Sequence, residues 1–420
     1  MTVSTIGALG IAVLTGGAVA NAAGAGASES PSILGESGSG PAPFPIDTPS
    51  TVPARAARFK WSDLDGSDAW AKRAIDLVGK TNDWMRDFAP RPDGTVPFRP
   101  DMNETRKYLA RAVVKGFAPR AVVDPSITFT DLDPTQTFYK WANIAVQRGW
   151  MTRSADGRFQ PDRAVTTGVV HSVLIDVLGM EPIARQLDRL HTRDGVHFPT
   201  PARFGALMLG LRLGLRYNSS DEAMDVGPRT PLSRAQVAYS LYKAATLPDD
   251  VVSWVSGQYD GIELPKMGPA RQAVVRWGVQ YVGFPYVWGG EWGLDDDAGL
   301  GGQPIPGFDC SGLTWWALRA NDGGAWRVHP PRPYAGWALA QRTSADMARY
   351  GKLKFDRLQP GDLMFYDGDF DGRVDHVDIY IGNGYALDSS STPGGVTIMW
   401  VGDGWYRDHF VHGRRILPTR

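Results

Sequence analysis

The stretch Phe308-Asp309-Cys310-Ser311-Gly312-Leu313, followed by an apolar run from Leu313 to Ala320, reads as a turn that delivers a cysteine to the start of a helix. Cys310 is the only cysteine among 420 residues, so it has no internal disulfide partner. The count alone leaves two readings, a small buried apolar residue or a thiol kept for its reactivity. The placement favours the second. Exposed N–H groups at a helix start favour negative charge. With an imidazolium nearby, a thiol pKa falls from about 8.5 to about 3.5–7.5, and the thiolate is the nucleophile.

Downstream, Gln359-Pro360-Gly361-Asp362-Leu363-Met364-Phe365-Tyr366 reads as a turn entering a strand. His376-Val377-Asp378-Ile379-Tyr380-Ile381-Gly382 alternates as a strand does, and Asn383-Gly384 marks a hairpin into Tyr385–Ser390. A turn centred on Asn383 places Asp388 diagonal to His376 on the same sheet face. A carboxylate there can hold one imidazole nitrogen and present the other to Cys310.

The segment from Asp367 to Asp378 has acidic residues at positions 1, 3, 5, 9 and 12 (Asp367, Asp369, Asp371, Asp375, Asp378) and Gly372 at position 6. That is EF-hand-like calcium spacing. Position 12 is Asp rather than Glu, however, and the flanks are strand-like, so an Asp/Gly hairpin turn is the favoured reading. Asp378 should also share the face of His376, near Asp388. A cation, a proton or solvent would relieve the repulsion between those carboxylates.

Upstream, Pro269–Tyr281 is apolar at helical spacing (Ala273, Val274, Trp277, Val279), and Gly283-Phe284-Pro285-Tyr286-Val287-Trp288-Gly289-Gly290 follows. The ordered set Tyr286-Val-Trp-Gly-Gly, Asp309-Cys-Ser-Gly-Leu, Arg342-Thr-Ser-Ala, Pro360-Gly-Asp-Leu and His376-Val-Asp-Ile-Tyr-Ile-Gly resembles the NlpC-type cell-wall cysteine endopeptidases over nearly all of 269–417. The resemblance implies a papain-like α+β domain with a small antiparallel sheet. It implies hydrolysis of stem-peptide amide bonds, commonly between γ-D-glutamyl and diaminopimelyl residues, with no cofactor required. It makes Cys310 the nucleophile, His376 the base and Asp388 the third polar residue, a position often held by His in that family. Tyr286 matches a tyrosine that contacts the oxyanion or substrate; its other reading is a core aromatic. Asp309 and Ser311 flank the nucleophile, either to contact substrate or to cap the helix. Two segments look inserted, Glu291–Gly307 with Asp295-Asp296-Asp297, and Asn321–Leu339 with Trp326 and His329. They either rim the cleft or form solvated loops.

The N-terminal half reads differently. Residues 1–23 look like a secretory signal, although no Lys or Arg precedes the apolar stretch, and 24–57 read as a Gly/Ser/Pro-rich linker. Residues 58–248 carry a repeat. Trp61-Ser-Asp63-Leu-Asp65 parallels Phe129-Thr-Asp131-Leu-Asp133. Pro92-Asp-Gly94 parallels Ala155-Asp-Gly157. Phe98-Arg-Pro100-Asp101 parallels Phe159-Gln-Pro161-Asp162. A third, divergent unit runs from Pro199 to Leu247, with Ser233 and Gln236 as a capping pair. The pattern resembles S-layer-homology repeats. That implies three packed units that bind a cell-wall polymer, with an arginine opening the second helix: Arg106 and Arg234 match, and Thr166-Thr167-Gly168 lacks it. A helical packing domain or a shield over the active site are the competing readings. Residues 249–268 read as a second linker, and 269–420 as the peptidase domain.

The expected architecture is therefore multidomain: an all-α region of three S-layer-homology-like units, then the α+β papain-like domain. Net charge is −1, with no basic run, which argues against nucleic-acid binding. The signal-like segment makes the expected product secreted, extracellular or wall-associated, no later stretch has the length of an apolar span, and the resemblance implies peptidoglycan stem peptides as substrate. His171, His191, His197, His409 and His412 show no ligand spacing. The competing functions are a wall-binding structural protein with a silent or autoinhibited catalytic domain, and an amidase or acyltransferase on the same scaffold.

Overall fold

The computed structural model describes residues 58–219, 221–292, 303, 305–318 and 339–417. The expected signal and first linker lie outside the described residues, as do Asp295-Asp296-Asp297, Trp326 and His329.

The repeated residues of the helical region have repeated jobs. Asp63 accepts the N–H groups of Phe98 and Arg99, and Asp131 those of Phe159 and Gln160, at 2.7–2.9 Å. These bonds hold Arg99 (φ 61°) and Gln160 (φ 59°) in the left-handed region just before their prolines. The helices are α1 (Lys72–Asp76), α2 (Arg106–Phe117), α3 (Tyr139–Gln147), α4 (Thr167–Val177), α5 (Glu181–Asp188), α6 (Phe204–Arg212) and α7 (Arg234–Thr246). In α2, Leu109, Ala110, Val113, Val114 and Phe117 recur at helical spacing and are buried. Ser233 and Gln236 form the expected capping box on α7.

Three chain segments, one from each unit, meet in a closed ring of backbone hydrogen bonds. Glu104 N–H donates to Leu232, Leu232 N–H to Val165, and Val165 N–H to Glu104, each at 2.9 Å. The arginine of one unit then enters the next. Arg106 donates to the carbonyls of Phe159 and Thr152, and Arg234 to those of Phe98 and Met85. Arg234 is fully buried and also pairs with Glu104 and Asp87. Its guanidinium is used up inside the protein.

The expected linker at 249–268 is not a linker. Residues 249–259 form α8 (Asp249–Tyr259), because Val255 and Tyr259 supply a buried apolar face. The Tyr259 hydroxyl donates to the Ile398 carbonyl of the following domain at 2.7 Å.

That domain contains α9 (Pro269–Val279), a small ladder of β1 (Glu291–Trp292) and β2 (Gly307–Phe308), then α10 (Cys310–Leu318) and α11 (Ser344–Ala348). The main sheet follows: β3 (Leu363–Tyr366), β4 (His376–Gly382), β5 (Tyr385–Ser390), β6 (Gly395–Trp400) and, after α12 (Gly404–Asp408), β7 (Phe410–Arg414). It is antiparallel throughout, in the order β6-β5-β4-β3-β7. α10 lies against β4, β5 and α9. Among the described residues no helix is long and apolar enough to cross a membrane.

Candidate active site

Asp309 caps α10 by accepting the Gly312 N–H, so Cys310 is the first residue of the helix, as the sequence suggested. Cys310 is 9% exposed and lines a cleft of about 500 Å³ shared with His376, Tyr286, Asp309, Ser311 and Arg342. Nucleophile and base candidates, 66 positions apart in the chain, thus face one solvent-accessible space.

The sheet register fixes the partners of His376. Ile379 stands opposite Leu387, so the next pair along the ladder is Asp378 and Asp388, and His376 is diagonal to Asp388. The ring's Nε2 lies 2.9 Å from Asp388 Oδ1. Asp388 is fully buried; its second oxygen accepts the Ser390 hydroxyl (2.7 Å) and the Tyr406 hydroxyl (3.3 Å). Asp378, also fully buried, approaches the same Nε2 at 3.0 Å, yet neither of its oxygens receives a hydrogen bond.

Electrostatics follow from that packing. Burial opposes the imidazolium, but Asp378 and Cys310 outweigh it and hold the His376 pKa well above its ordinary value. Burial, and then the Asp388 charge, push the Asp378 carboxyl up to about 7. Burial raises the Tyr286 hydroxyl pKa, with the Cys310 and Asp309 charges adding to it, so Tyr286 remains a donor.

The structure ties Asp309 and Ser311 to a residue that sequence reading treated only as part of a motif. Arg342 donates to Ser311 Oγ (2.7 Å), Asp309 Oδ1 (3.2 Å), Glu291 Oε2 (2.7 Å) and the Gly289 carbonyl (3.0 Å). The capping reading of Asp309 is thus realised, and Arg342 fastens that cap to the glycine turn beside Tyr286.

Of the calcium candidates, Asp367, Asp369 and Asp371 come together. Asp375 instead accepts the Gly368 N–H, and Asp378 turns to His376. Asp367 accepts from the Asp371 and Gly372 N–H groups, as in a self-bonded turn.

Residues of the helical region reach both walls of the cleft, which sequence reading missed. Buried Arg216 donates to the carbonyls of Val226 (3.0 Å), Gly283 (2.9 Å) and Gly394. Asn218 donates to the Ser391 carbonyl (2.9 Å), and Glu222 accepts the Trp288 N–H (2.8 Å).

Residues 283–415 match the NlpC/P60 family. They form an NlpC/P60 domain. The chain is 27% identical over 188 residues to the bifunctional muramidase/DL-endopeptidase CwlT of Bacillus subtilis, covering 44% of this chain and 49% of that protein. It is 28% identical over 165 residues to the murein DD-endopeptidase MepH of Escherichia coli, covering 39% and 53%. Among solved structures, the P60 domain of an antigen from M. avium subspecies paratuberculosis is 32% identical, covering 36% of this chain and 96% of that one at a TM-score of 0.26. The chain spans about half the length of the curated relatives it matches.

Proposed function

We propose that this chain is a secreted peptidoglycan hydrolase that cuts stem-peptide amide bonds, between γ-D-glutamyl and diaminopimelyl residues, through a thioester. One observation carries the reading: Cys310, at a helix start, shares a cleft with His376, whose Nε2 is bonded to Asp388. With Nε2 engaged, Nδ1 is the nitrogen left to take the thiol proton. The thiolate attacks the scissile carbonyl. The resulting oxyanion sits within reach of the Tyr286 hydroxyl and the first N–H groups of α10. Collapse forms the thioester as His376 gives its proton to the leaving amine. Water, deprotonated by His376, then frees the carboxylate and the thiol. Asp388 orients the ring and stabilises the imidazolium throughout.

The S-layer-homology-like reading of 58–248 adds retention at the wall through a polymer. The closed ring of backbone bonds and the repeated Asp63/Asp131 contacts support three related units. Arg234 is buried inside the protein, so polymer contact there falls to other side chains.

The test is digestion of purified peptidoglycan with the full chain and with Cys310→Ala, followed by mass measurement of the fragments. Fragments ending in D-Glu from the wild type alone are expected. No release by the wild type, or equal release by Cys310→Ala, overturns the proposal.

A further inference from the structure

His376 faces two carboxylates with one N–H. Nε2 lies 2.9 Å from Asp388 Oδ1 and 3.0 Å from Asp378 Oδ1, and both aspartates are fully buried. Two buried anions at such spacing repel, and a carboxylate pair sharing a site ordinarily keeps one proton. The donors around the pair say which member keeps it. Asp388 receives the imidazole N–H and the Tyr406 hydroxyl, and it shares the Ser390 hydroxyl with the Thr392 carbonyl. Asp378 receives none in hydrogen-bond geometry, although His376 Nε2 and the Tyr366 hydroxyl both face it. An ionised carboxylate wants donors, whereas a protonated one brings its own.

We propose that Asp378 is a positioning residue for the cysteine–histidine reaction: it stands as the neutral acid, donates its proton toward Asp388, and leaves His376 beside a pair of single negative charge. The inference rests on the peptidase reading above and deepens it. No bond of Asp378 forms or breaks in the cycle, and its proton stays between the two carboxyls. The charge count matters for the second half of the acylation. With both aspartates ionised, the imidazolium would be held too tightly to give its proton to the leaving amine. With neither ionised, the ring would lose its orienter. The groups that face the pair from the packed elements are Tyr366 of β3 beside Asp378, Tyr406 of α12 beside Asp388, and Cys310 of α10 beside the ring. Arg212 of α6 contributes a positive charge felt at Tyr406. The hairpin puts an aspartate at position 378, directly opposite Asp388, where any apolar residue would keep the strand alternation intact.

The experiment compares wild type, Asp378→Val, Asp378→Asn and Asp388→Asn on purified stem peptides, with kcat and KM measured across pH and a thermal melt for each. Valine removes the donor and should lower kcat by about tenfold or more at little change in KM. Asparagine, whose N–H can donate to Asp388, should restore most of that loss. It should also delete one ionisation near neutral pH from the kcat profile. Asp388→Asn should lose activity without rescue. A second measurement needs no variant: carboxyl-carbon NMR of the wild-type chain should show two aspartates titrating as a coupled pair, one of them near neutral pH. Asparagine as damaging as valine at a wild-type melting temperature overturns the proposal. So does an unchanged pH profile, or a pair in which both carboxyls ionise in the ordinary acid range. A wild type that cleaves no stem peptide sinks the peptidase reading instead, and the NMR result then still decides the proton.

Discussion

Replacing Arg216 by alanine should loosen both walls of the cleft at once. Its side chain bonds three carbonyls: Val226 in the helical region, and Gly283 and Gly394 in the catalytic domain. Gly394 also accepts the Tyr286 N–H at 3.0 Å, so it keeps a partner in the variant. The Val226 and Gly283 carbonyls lose theirs. At about 1.5–3 kcal/mol for each hydrogen bond from a charged donor, the two together contribute about 3–6 kcal/mol. Burial offsets part of this: it drives the Arg216 pKa from 12.5 down to about 10, a cost of about 3 kcal/mol that alanine escapes. A net loss on the order of 2 kcal/mol remains, which lowers the melting temperature by about 4–8 °C at most in a body of this size. The functional effect should be larger than the thermal one, because Gly283 and Gly394 flank the segment that presents Tyr286. Calorimetric melting and kcat/KM on stem peptides are the assays. Asn218→Ala, which loses one rim bond to Ser391, is the control and should cost less than about 1 kcal/mol. An Arg216→Ala protein that melts and hydrolyses as the wild type does, or an Asn218→Ala protein equally impaired, would refute the claim that this side chain holds the cleft.

Arg342→Ala frees the Asp309 cap and should lower kcat/KM by about tenfold to a hundredfold with a modest effect on melting, read by steady-state kinetics. His171 is held neutral, its pKa pushed down to about 3 by burial and then by the Arg216 charge. Its contribution to stability is complete above the unfolded value near 6.5 and is lost as pH falls toward 3, by a few kcal/mol in order of magnitude. Melting temperatures of His171→Asn should therefore fall less steeply than the wild type's over that window, and parallel curves would count against it. Calcium titrated into the full chain calorimetrically should give no heat in the micromolar range typical of sensor EF-hands, because Asp375 and Asp378 are engaged elsewhere. A fragment of residues 269–420 should be poorly soluble and less active than the full chain, since Tyr259, Arg216 and Asn218 would be missing from its surface. Equal activity of the two on the same peptides would contradict this.

The parts of the site that are local in sequence were legible there. Cys310 at a helix start needs only the turn before it and the apolar run after it; the His376/Asp388 relation needs the Asn383-Gly384 turn, the period of a strand and also the bulge between Tyr380 and Gly382, which shifts the pairing by one residue and which the sequence did not show. The proximity of Asp378 to His376 follows from the same register. What the register does not show is that the Tyr406 hydroxyl also reaches Asp388, because it arrives from α12, well down the chain. Arg342 was visible only as part of a motif, since its partners come from β1, the glycine turn and the cap of α10. Residues 249–268 were misread as a linker because Gly, Pro and Asp at both ends mask a short amphipathic helix. Val255 and Tyr259 are its only fully buried side chains.

The divergence of the third helical unit has a physical explanation in these contacts. In the first two units the segment between helices carries Asp-Gly and Phe-x-Pro, and its carbonyl at Phe98 or Phe159 receives an arginine from a neighbouring unit. Between α6 and α7 the chain keeps neither motif. It carries instead Arg216, Asn218 and Glu222, and each of these bonds to backbone beside the cleft. A segment constrained to match the catalytic domain cannot also keep the loop that matches a sister unit, so the repeat decays where the interface begins. The same contacts make the helical region part of the catalytic body rather than a tether. Tyr286, the proposed oxyanion donor, is then placed by both halves of the chain.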